Sequence, residues 1–535
     1  IANANELAGW LNAKVIKSDF RPVKLHEGVY YENKVWFEEK PHLEIVGDDV
    51  AEVLIAENTA IIGKQALIFA ASRRNAEAIA EKCAKVVKKT LSKEEINALE
   101  ELSKAVLESL EYPTPQCKRL SECIKQGSAF HHAGLVAKQR FLVEDAFRNK
   151  LIKIIAATPT LAAGVDLPAY RVIIRDARRY YPGSGFVFIP VLEYEQMRGR
   201  AGRPRYDKEG ESVLLAHSER EARELYNRFV LGEPEQIQSK LAVEPVLRMH
   251  TLALIATNAV SSREELENFF AATFWGYQYK DIGLIKEKLL KIVKQLIKWN
   301  FIFETVNGLE ATTIGKRISE LYIDPSTAHE FIKAIQQNSA NEFGLLQLIS
   351  YSSELSPQLR VKKREYDFIM NELATRESKL MMPLPKEWDL EYEDFLDSVK
   401  TALAFEDWCN EIGEDWLYKK YSVTPGELHS KREIADWLLY AIGELARLIG
   451  KSEVSSMCRK LRIRMYYGVK EELLHLIKLK GIGRARARKL FQAGYKTIAD
   501  LGKADTKQLA MVLGSIKLAE SIKQQLNGSG AAQSF

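Results

Sequence analysis

The hydrophobic positions of the first 240 residues alternate between the two-residue period of β-strands and the longer period of helices. Residues 22–37 follow a pattern that predicts a β-hairpin turning near Glu32 and Asn33. Residues 66–71 form a short apolar run that predicts a buried strand, and a helix is expected to begin at Ser72. Further strands are expected at 151–156, 171–175 and 212–217, and further helices at 3–13 and 90–111. Strands that alternate with helices indicate an α/β domain over residues 1–240.

The pattern becomes helical after residue 240. Residues 241–325 show helical periods and end in a predicted hairpin at 301–310, and helices followed by a small hairpin indicate a winged helix. Residues 326–465 predict an all-α bundle whose clearest helix covers 427–449. Residues 466–535 predict a last small domain, with short helices around a glycine turn and a frayed tail. We therefore expect four domains.

Composition places the chain among ordinary soluble proteins. Its 535 residues are too many for a single core, 46% of them are hydrophobic, and the mean hydropathy is -0.22. No apolar run is long enough to span a bilayer, and the first residues have neither the basic nor the apolar part of a signal peptide. We expect a cytoplasmic protein with no membrane partner.

The net charge and the cysteines bear on two questions, whether the chain binds nucleic acid and whether it has disulfides or a zinc site. The net charge of +5 is mild for a chain with 77 basic and 72 acidic residues, so nucleic-acid binding has to be argued from local clusters. The five cysteines are an odd number at wide spacings without a CxxC pair. Free thiols therefore fit better than disulfides or a zinc site.

Residues 193–205 carry four arginines, a glutamine and two glycines, which a core helix would not tolerate. Guanidinium groups present planar forks of donors, and glycines let the oxygens of a polyanion approach the backbone. A solvated basic loop is the simpler alternative. Phosphate is the ligand that this composition favours.

The same segment resembles motif VI of the superfamily-2 helicases. In that family the glutamine and the last two arginines face the nucleotide γ-phosphate in a cleft between two RecA-like domains. The resemblance implies catalytic roles for Arg200 and Arg203, with Gln196 positioning the phosphate. Arginine fingers can contribute roughly 10³ to 10⁵ in rate. Arg198 and Arg205 are expected on solvent or nucleic acid.

Two further segments resemble helicase motifs that contact a nucleic-acid backbone. The strand, Ser72, Arg73 and the following helix are similar to motif IV, although Ser72 is also a good helix N-cap. The segment that contains His131 and His132 is similar to motif IVa, which assigns His132 to the tracked strand. Paired histidines suggest a metal, but adjacent side chains diverge and no third ligand is evident, so we expect no metal here.

Residues 157–168 resemble motif V. The resemblance directs Thr158 and Thr160 toward nucleic-acid phosphates and Gly164 and Asp166 toward the nucleotide. Glycine, proline and two threonines between buried strands are costly unless the loop binds something.

Residues 178–188 predict an aromatic hairpin between motifs V and VI. This is the position of the strand-separating hairpin in the archaeal Holliday-junction-migration (Hjm-type) helicases, relatives of the polymerase-theta helicase domain. Tyr180, Phe186 and Phe188 are the residues expected to contact DNA. The alternative is that these aromatic side chains pack under the winged helix.

The helix at 427–449 resembles the ratchet helix of the Hjm-type helicases. There a tryptophan and an arginine two turns earlier stack on bases. Trp437 matches the tryptophan, whereas Ser430 stands at the arginine position. Lys431 and Arg432 are nearby but point to other faces, and burial of Trp437 in the bundle core is the competing interpretation.

The last domain contains a helix-hairpin-helix signature. Gly481 and Gly483 form a tight turn whose amides can hold a phosphate, and Arg484, Arg486 and Arg488 follow in a run without acidic residues. Such a module grips a DNA backbone without reading sequence.

The sequence has no GxxxxGK[ST] loop and no acidic box that could hold a metal. The Hjm resemblance covers the whole chain, and we expect the first RecA-like domain, with the ligands of Mg²⁺ and the cradle for ATP, to be absent from it. These residues alone are expected to hydrolyse no ATP.

The resemblance implies an α/β RecA-like motor domain followed by winged helix, helical ratchet and helix-hairpin-helix domains. It implies an ATP-dependent 3′ to 5′ DNA helicase, monomeric and associated with the nucleoid, acting in fork repair and recombination. The expected partners are single-stranded and forked DNA, with replication or recombination proteins as candidates. An RNA helicase of the exosome-cofactor group and a DNA-binding scaffold that never hydrolyses ATP are the alternatives.

Overall fold

The computed structural model describes the chain except residues 19, 111–112, 163–166, 182–184, 205–206, 307 and 528–535. The chain divides into two compact units. Unit 1 comprises Ile1–Gln238 with Thr424–Glu427, and unit 2 comprises Ser239–Val423 with Leu428–Phe535. No helix in the described part of the chain is both long and apolar enough to cross a membrane.

Unit 1 is an α/β structure, as its alternating pattern predicts. Its strands are β1 (Lys24–Tyr31), β2 (Lys34–Phe37), β3 (Leu43–Glu44), β4 (Ala66–Phe69), β5 (Ser128–His131), β6 (Ile154–Ala157), β7 (Arg171–Ile174), β8 (Arg178–Tyr181), β9 (Gly185–Phe188) and β10 (Glu209–Leu215). Its helices are α1 (Ala4–Leu11), α2 (Ala51–Ile61), α3 (Arg73–Val87), α4 (Lys93–Leu107), α5 (Pro115–Ile124), α6 (Ala137–Arg148), α7 (Val191–Arg198) and α8 (Glu219–Leu225), the last continued by a π-helical turn at Tyr226–Val230.

The main sheet of unit 1 has the order β3-β2-β1-β10-β7-β4-β6-β5. The six strands from β1 to β5 in this order are parallel, and β2 and β3 extend the sheet antiparallel at one edge. Every residue of β4 to β7 is buried, which explains the continuous apolar runs of β4 and β6. The sheet is RecA-like, as the helicase resemblance implies.

The order of the strands brings several predicted site residues to one edge. Strands β7, β4, β6 and β5 are adjacent and parallel, so the loops that follow them leave the sheet on the same side. Ser72 follows β4, His132 follows β5 and Thr158 follows β6. Motifs that are far apart in sequence therefore share one edge.

Unit 2 begins with helices and a small hairpin. These elements are α9 (Glu244–Ala256), α10 (Arg263–Ala271), α11 (Phe274–Tyr279), α12 (Ile282–Lys298), β11 (Ile302–Thr305), β12 (Gly308–Ala311) and α13 (Thr313–Leu321). They are the elements from which a winged helix was expected. Asn307, half of the predicted turn signal, lies outside the described residues.

The next part of unit 2 is helical, with the helices α14 (Pro325–Gln337), α15 (Glu342–Tyr351), α16 (Tyr366–Arg376), α17 (Tyr392–Cys409), α18 (Glu414–Tyr421), α19 (Pro425–Leu448) and α20 (Ser452–Tyr467). The 24-residue α19 corresponds to the helix predicted at 427–449. A hydrophobic core from Leu247 to Met465 is continuous through this bundle and the elements before it.

The end of unit 2 has a separate core. Its helices are α21 (Arg484–Gln492), α22 (Ile498–Lys503), α23 (Thr506–Leu513) and α24 (Ile516–Asn527). Their buried side chains form a cluster from Val469 to Ile522. All five cysteines of the chain are free and buried, as their number and spacing predict.

Candidate functional site

Helix α7 presents the motif VI glutamine to solvent. Val191, Tyr194 and Met197 are buried, and this spacing fixes the face that packs on the sheet. Gln196 lies off that face and is exposed. Its amide is therefore accessible from solvent.

Arg198 is held by carboxylates. Its guanidinium pairs with Glu195 and with Glu27, and the Tyr194 hydroxyl also donates to Glu27 at 2.5 Å. The side chain of Arg198 is only 24% exposed. Arg198 was expected on solvent or nucleic acid, but in this conformation it is ion-paired within unit 1 and only partly exposed. The sequence did not reveal this because Glu27 of β1 is distant from Arg198 along the chain. Arg205 lies outside the described residues.

Arg200 connects motif VI to motif V. Its guanidinium Nε donates to the carbonyl of Ala162 at 3.1 Å, directly after the short 3-10 turn at Pro159–Leu161. The backbone is joined as well, because the Ala169 N–H donates to the Arg200 carbonyl at 2.9 Å and the Gly202 N–H to the Ala169 carbonyl at 2.6 Å. Gly202 has φ +85°, a conformation that favours glycine.

Arg203 is nearly buried and engaged within the domain. Its guanidinium donates to Asp207 and, from Nη1 at 2.6 Å, to Gln65. Lys64 also contacts Asp207, at 2.8 Å. Burial alone would raise the pKa of Asp207, but the hydrogen bonds from Arg203 and Lys64 outweigh it and hold this pKa below its usual value. In this conformation Arg203 braces the domain rather than faces a phosphate.

A cleft of about 960 Å³ opens beside motif VI. Arg198 and Arg200 line it together with Arg21 and Lys24, and Glu27 is the one carboxylate among the lining residues that the structure describes. Burial, and then the neighbouring charge of Arg198, lower the pKa of Arg21. Arg198 is already paired with Glu27 and Glu195, but cations outnumber carboxylates among the described lining residues, so the cleft can accept a phosphate.

Arg21 is a residue that the sequence interpretation missed. Its Nη2 donates to the Ala201 carbonyl at 2.7 Å, which fixes the guanidinium against the motif VI turn. Arg21 stands about 180 residues before this turn in sequence. No local pattern around Arg21-Pro22 marks it as a neighbour of motif VI.

Motif V presents two hydroxyl groups. The hydroxyl oxygens of Thr158 and Thr160 lie 2.9 Å apart across the 3-10 turn, and Thr160 is exposed. This pair can donate to one phosphate group. Gly164 and Asp166, which were expected at the nucleotide, lie outside the described residues.

The start of α3 has the geometry of a backbone-binding helix end. The Ser72 hydroxyl accepts from the Asn75 N–H at 3.1 Å, so Ser72 is the N-cap that the sequence predicts. Arg73 is the first residue of the helix, and its side chain is 41% exposed. Its guanidinium donates to Glu427 at 2.9 Å, so an anion at this end would meet the helix dipole and a guanidinium that is already paired.

His132 is buried, which excludes a direct DNA contact by its imidazole in this conformation. Its Nε2 lies 3.2 Å from Glu77, and its Nδ1 accepts from the Gly134 N–H at 3.2 Å. His131 has a separate partner, Glu144, at 2.9 Å. Burial lowers the pKa of His131 despite this carboxylate. The two rings thus stabilise the loop after β5 from within.

The aromatic hairpin forms as predicted, with β8 and β9 paired antiparallel so that Arg178 opposes Phe188. Its two phenylalanines differ in environment. Phe186 is 72% exposed, whereas Phe188 packs edge-on against Phe229 and lies beneath the guanidinium groups of Arg178 and Arg228. The side chain of Tyr180 and residues 182–184 are outside the described part. Of the two rings, Phe186 is therefore the one exposed to solvent.

Trp437 is half-buried on α19. Its indole N–H donates to the Leu321 carbonyl at 2.9 Å, and the ring packs against the bundle core. Ser430 is exposed, Lys431 is buried with its amino group on the Pro357 carbonyl, and Arg432 lies 4.2 Å above the Trp408 ring. Lys431 and Arg432 are thus both engaged within unit 2, and neither stands at the position of the family's ratchet arginine, which is Ser430 here.

The helix-hairpin-helix turn has the expected glycine geometry. Gly481 has φ +84° and Gly483 is the N-cap of α21. Arg486 is exposed and donates to the Gly481 carbonyl at 2.9 Å. Arg484 is half-buried, 5.1 Å from the centre of the Trp408 ring. These two arginines flank the turn on which a phosphate would sit.

Arg488 is tied to acidic residues of unit 2. It donates to both oxygens of Glu411, at 2.8 and 2.6 Å, and pairs with Glu472 at 2.7 Å. Burial would raise the pKa of Glu411, but the Arg488 hydrogen bonds hold it below its usual value. The expectation that Arg488 grips DNA overlooked these carboxylates, because Glu411 is 77 residues away in sequence.

The chemistry available to this chain is anion binding. Among the residues that the structure describes, no group of three or more histidines, cysteines or acidic residues is arranged to hold a metal ion. The described side chains therefore offer no such cluster for Mg²⁺. Arginines, hydroxyl groups and helix ends are the groups that can act on phosphate.

Three family models match the chain. The helicase conserved C-terminal domain matches residues 108–205, the archaeal helicase domain 4 matches residues 343–468, and the SAM-like helix-hairpin-helix tandem matches residues 473–527. These matches cover motifs V and VI, the bundle with Trp437 and the arginine-bearing turn.

Several curated proteins similar to this chain carry the same name. The ATP-dependent DNA helicase Hel308 of Methanocella arvoryzae is 40% identical, over 98% of this chain and 71% of its own length. Those of Pyrococcus abyssi and Caldivirga maquilingensis are 39% and 37% identical, over 98% of this chain and 72% and 71% of their own lengths.

Proposed function

We propose that this chain, which belongs to the Hel308 family of ATP-dependent DNA helicases, translocates 3′ to 5′ along one strand of forked or branched DNA. The role that we assign to this activity is repair of replication forks and recombination. We also infer that the resemblance to the Hjm type and to the polymerase-theta helicase domain applies to the whole family. Replication and recombination proteins are the partners that such a role requires.

One observation carries the proposal. The cleft beside motif VI collects Arg21, Lys24, Arg198 and Arg200, of which Arg198 is paired with Glu27 and Glu195. The turnover of ATP is catalysed mainly by positive charge placed where negative charge accumulates. We assign the nucleotide phosphates to this cleft.

The residues have separate roles in this proposal. Arg200 approaches the phosphate from motif VI, Gln196 positions it, and Arg203 holds the motif through Asp207. Because Arg200 also bonds to the Ala162 carbonyl, a change at the nucleotide is passed directly to the motif V turn that carries Thr160. ATP state is thereby linked to the grip on DNA.

We assign DNA contacts to residues of motifs IV and V, the aromatic hairpin, the glycine turn and helix α19. Ser72, Arg73 and the Thr158–Thr160 hydroxyl pair hold the backbone, and Phe186 separates the duplex. The glycine turn with Arg484 and Arg486 holds a further stretch of backbone without reading sequence. Trp437 stacks on a base in this proposal.

Family membership favours this activity over the two alternatives, an RNA helicase and a scaffold that does not hydrolyse ATP. The test is ATP hydrolysis by the full-length protein with single-stranded DNA, the matching RNA or no nucleic acid. We expect stimulation by DNA well above that by RNA, and its loss in Arg200→Ala and Arg21→Ala. The exposed Arg220→Ala is the control and should keep wild-type turnover.

Stimulation by RNA equal to that by DNA would favour the RNA helicase. Absence of hydrolysis under every condition would favour the scaffold. Equal losses in Arg220→Ala and Arg200→Ala would remove the phosphate cleft from the account.

A further inference from the structure

The edge of the main sheet in unit 1 carries a second cavity, unrelated to motif VI. It measures about 800 Å³ and lies between the β1–β2 hairpin and the helix that begins as α8. Pockets that hold a ligand larger than one side chain typically have roughly 300 to 1,000 Å³. We call it the edge pocket.

Aromatic rings form the walls of the edge pocket. Tyr31, Trp36 and Phe37 come from the hairpin and Tyr226 from the π-helical turn. Trp36 is 46% exposed although its strand neighbours Val35 and Phe37 are buried. Exposed aromatic side chains of this size are costly in water, and clustered ones mark binding surfaces.

The π-helical turn supports this interpretation. Helix α8 widens at Tyr226–Val230, and the first two residues of the widened turn, Tyr226 and Asn227, line the pocket. Such turns are rare and occur frequently at functional sites, because they redirect side chains that a regular helix would point elsewhere.

The rim of the edge pocket is acidic. Glu32, Glu38 and Glu219 line it, whereas Arg223 is the one cation among the lining residues and is already paired with Glu219 at 2.5 Å. In the described part of the chain neither Glu32 nor Glu38 has an ion-pair partner. Both accept a hydrogen bond from a wall tyrosine, Glu32 from Tyr31 at 2.8 Å and Glu38 from Tyr226.

The pKa values of the two wall tyrosines reflect the nearby negative charge. The hydrogen bond to Glu38 and then burial raise the pKa of Tyr226 to about 12, and the hydrogen bond to Glu32 is the main cause that raises the pKa of Tyr31. Nearby negative charge disfavours a phenolate and favours a cation. A DNA backbone is repelled by the same field, so the edge pocket is not a DNA contact.

We propose that the edge pocket binds an arginine-bearing segment of a partner protein. A guanidinium can stack on the Trp36 or Tyr226 ring while it donates to the Glu38 carboxylate, and its planar shape suits this pair of contacts better than an ammonium group does. The remaining volume accommodates the apolar residues that flank the arginine. An acidic or uncharged segment would leave the carboxylates unpaired.

The probe is the peptide acetyl-Gly-Leu-Arg-Leu-Gly-amide, titrated into the 535-residue chain by calorimetry. The matched peptide has citrulline in place of arginine, which keeps the shape and removes the charge. We expect the arginine peptide to bind and the citrulline peptide to bind on the order of tenfold more weakly.

Variants locate the site. Trp36→Ala and Glu38→Gln should each weaken binding of the arginine peptide several-fold, without changing the affinity of the chain for single-stranded DNA. Trp388→Ala and Glu264→Gln remove an exposed tryptophan and an exposed carboxylate of unit 2 and should change nothing. Glu38 is exposed, so Glu38→Gln tests the site even if Trp36→Ala disturbs the strand.

Three results would overturn the proposal. They are no binding of the arginine peptide up to about 5 mM, equal binding of the citrulline peptide, and equal weakening by the unit 2 variants. A single-stranded DNA that displaces the peptide would assign the pocket to nucleic acid instead.

Discussion

The guanidinium of Arg203 holds the carboxylate of Asp207 with two hydrogen bonds, from Nε at 2.7 Å and from Nη2 at 3.1 Å. The Asp207 carboxylate is fully buried and the Arg203 side chain is only 10% exposed. To reach a nucleotide, Arg203 would have to leave a buried anion behind. Arg200 lines the open cleft, where its guanidinium donates to the Ala162 carbonyl.

The two motif VI arginines should therefore differ in their effect on stability. Arg203→Ala removes one of the two cations that pair with the buried Asp207 and leaves Lys64, and losing hydrogen bonds to a charged group typically costs about 1.5 to 3 kcal/mol. Arg200→Ala removes a partly exposed side chain, including its hydrogen bonds to the Ala162 carbonyl, and should cost less. Chemical denaturation of the 535-residue chain measures both. Similar losses in the two variants would contradict the distinction.

The hairpin makes a second prediction that can be tested within one strand. Phe186→Ala should greatly reduce unwinding of a 3′-tailed duplex by the full-length protein, because Phe186 is exposed at the predicted wedge. Its DNA-stimulated ATP hydrolysis and melting temperature should be nearly unchanged.

Phe188→Ala is the matched control for the hairpin. It removes the ring that packs on Phe229, so the melting temperature should fall by several degrees. If Phe186→Ala instead lowers ATP hydrolysis and unwinding equally, the hairpin is a packing element and not a wedge.

The helix-hairpin-helix arginines make a third prediction. Arg484→Ala with Arg486→Ala should lower the slope of log affinity against log salt by roughly 1.4 to 1.8, as expected for two lost phosphate contacts, at every DNA sequence. Arg488→Ala should leave the slope unchanged and reduce stability, since Arg488 serves Glu411 and Glu472. A slope that falls only in Arg488→Ala would reverse these roles.

Trp437 makes a fourth prediction, based on its two kinds of contact. Trp437→Phe keeps an aromatic face and loses the N–H donor to Leu321, so it should cost about 1 kcal/mol and preserve unwinding. Trp437→Ala also loses stacking, worth roughly 1 to 3 kcal/mol per base, and should hydrolyse ATP without unwinding. Unfolding of Trp437→Ala at a much lower temperature would show that the ring is part of the core.

Features set by local sequence could be predicted. The apolar run at 66–71 became β4, the Ser72 hydroxyl caps α3, and Glu32 and Asn33, with φ of 48° and 60°, form the turn of the first hairpin. A turn, a cap or a buried strand depends on a few neighbouring residues, so one segment carries enough information.

Partners chosen by the tertiary fold could not be predicted. Arg203 reaches Gln65 across 138 positions, and Arg488 reaches Glu411 across 77. The sequence pattern of an arginine run is the same whether its side chains bind a phosphate or pair with a carboxylate that is distant along the chain. The same limit applies to His132, whose burial beside Glu77 no local pattern reveals.

Unwinding by the full-length protein tests the central claim most directly. Two substrates share one labelled duplex and differ only in carrying a 3′ or a 5′ single-stranded tail, with ATP present. The account predicts fast strand separation for the 3′-tailed DNA, little for the 5′-tailed DNA, and none for either in Arg200→Ala. Equal unwinding of both substrates, or preference for the 5′ tail, would contradict it.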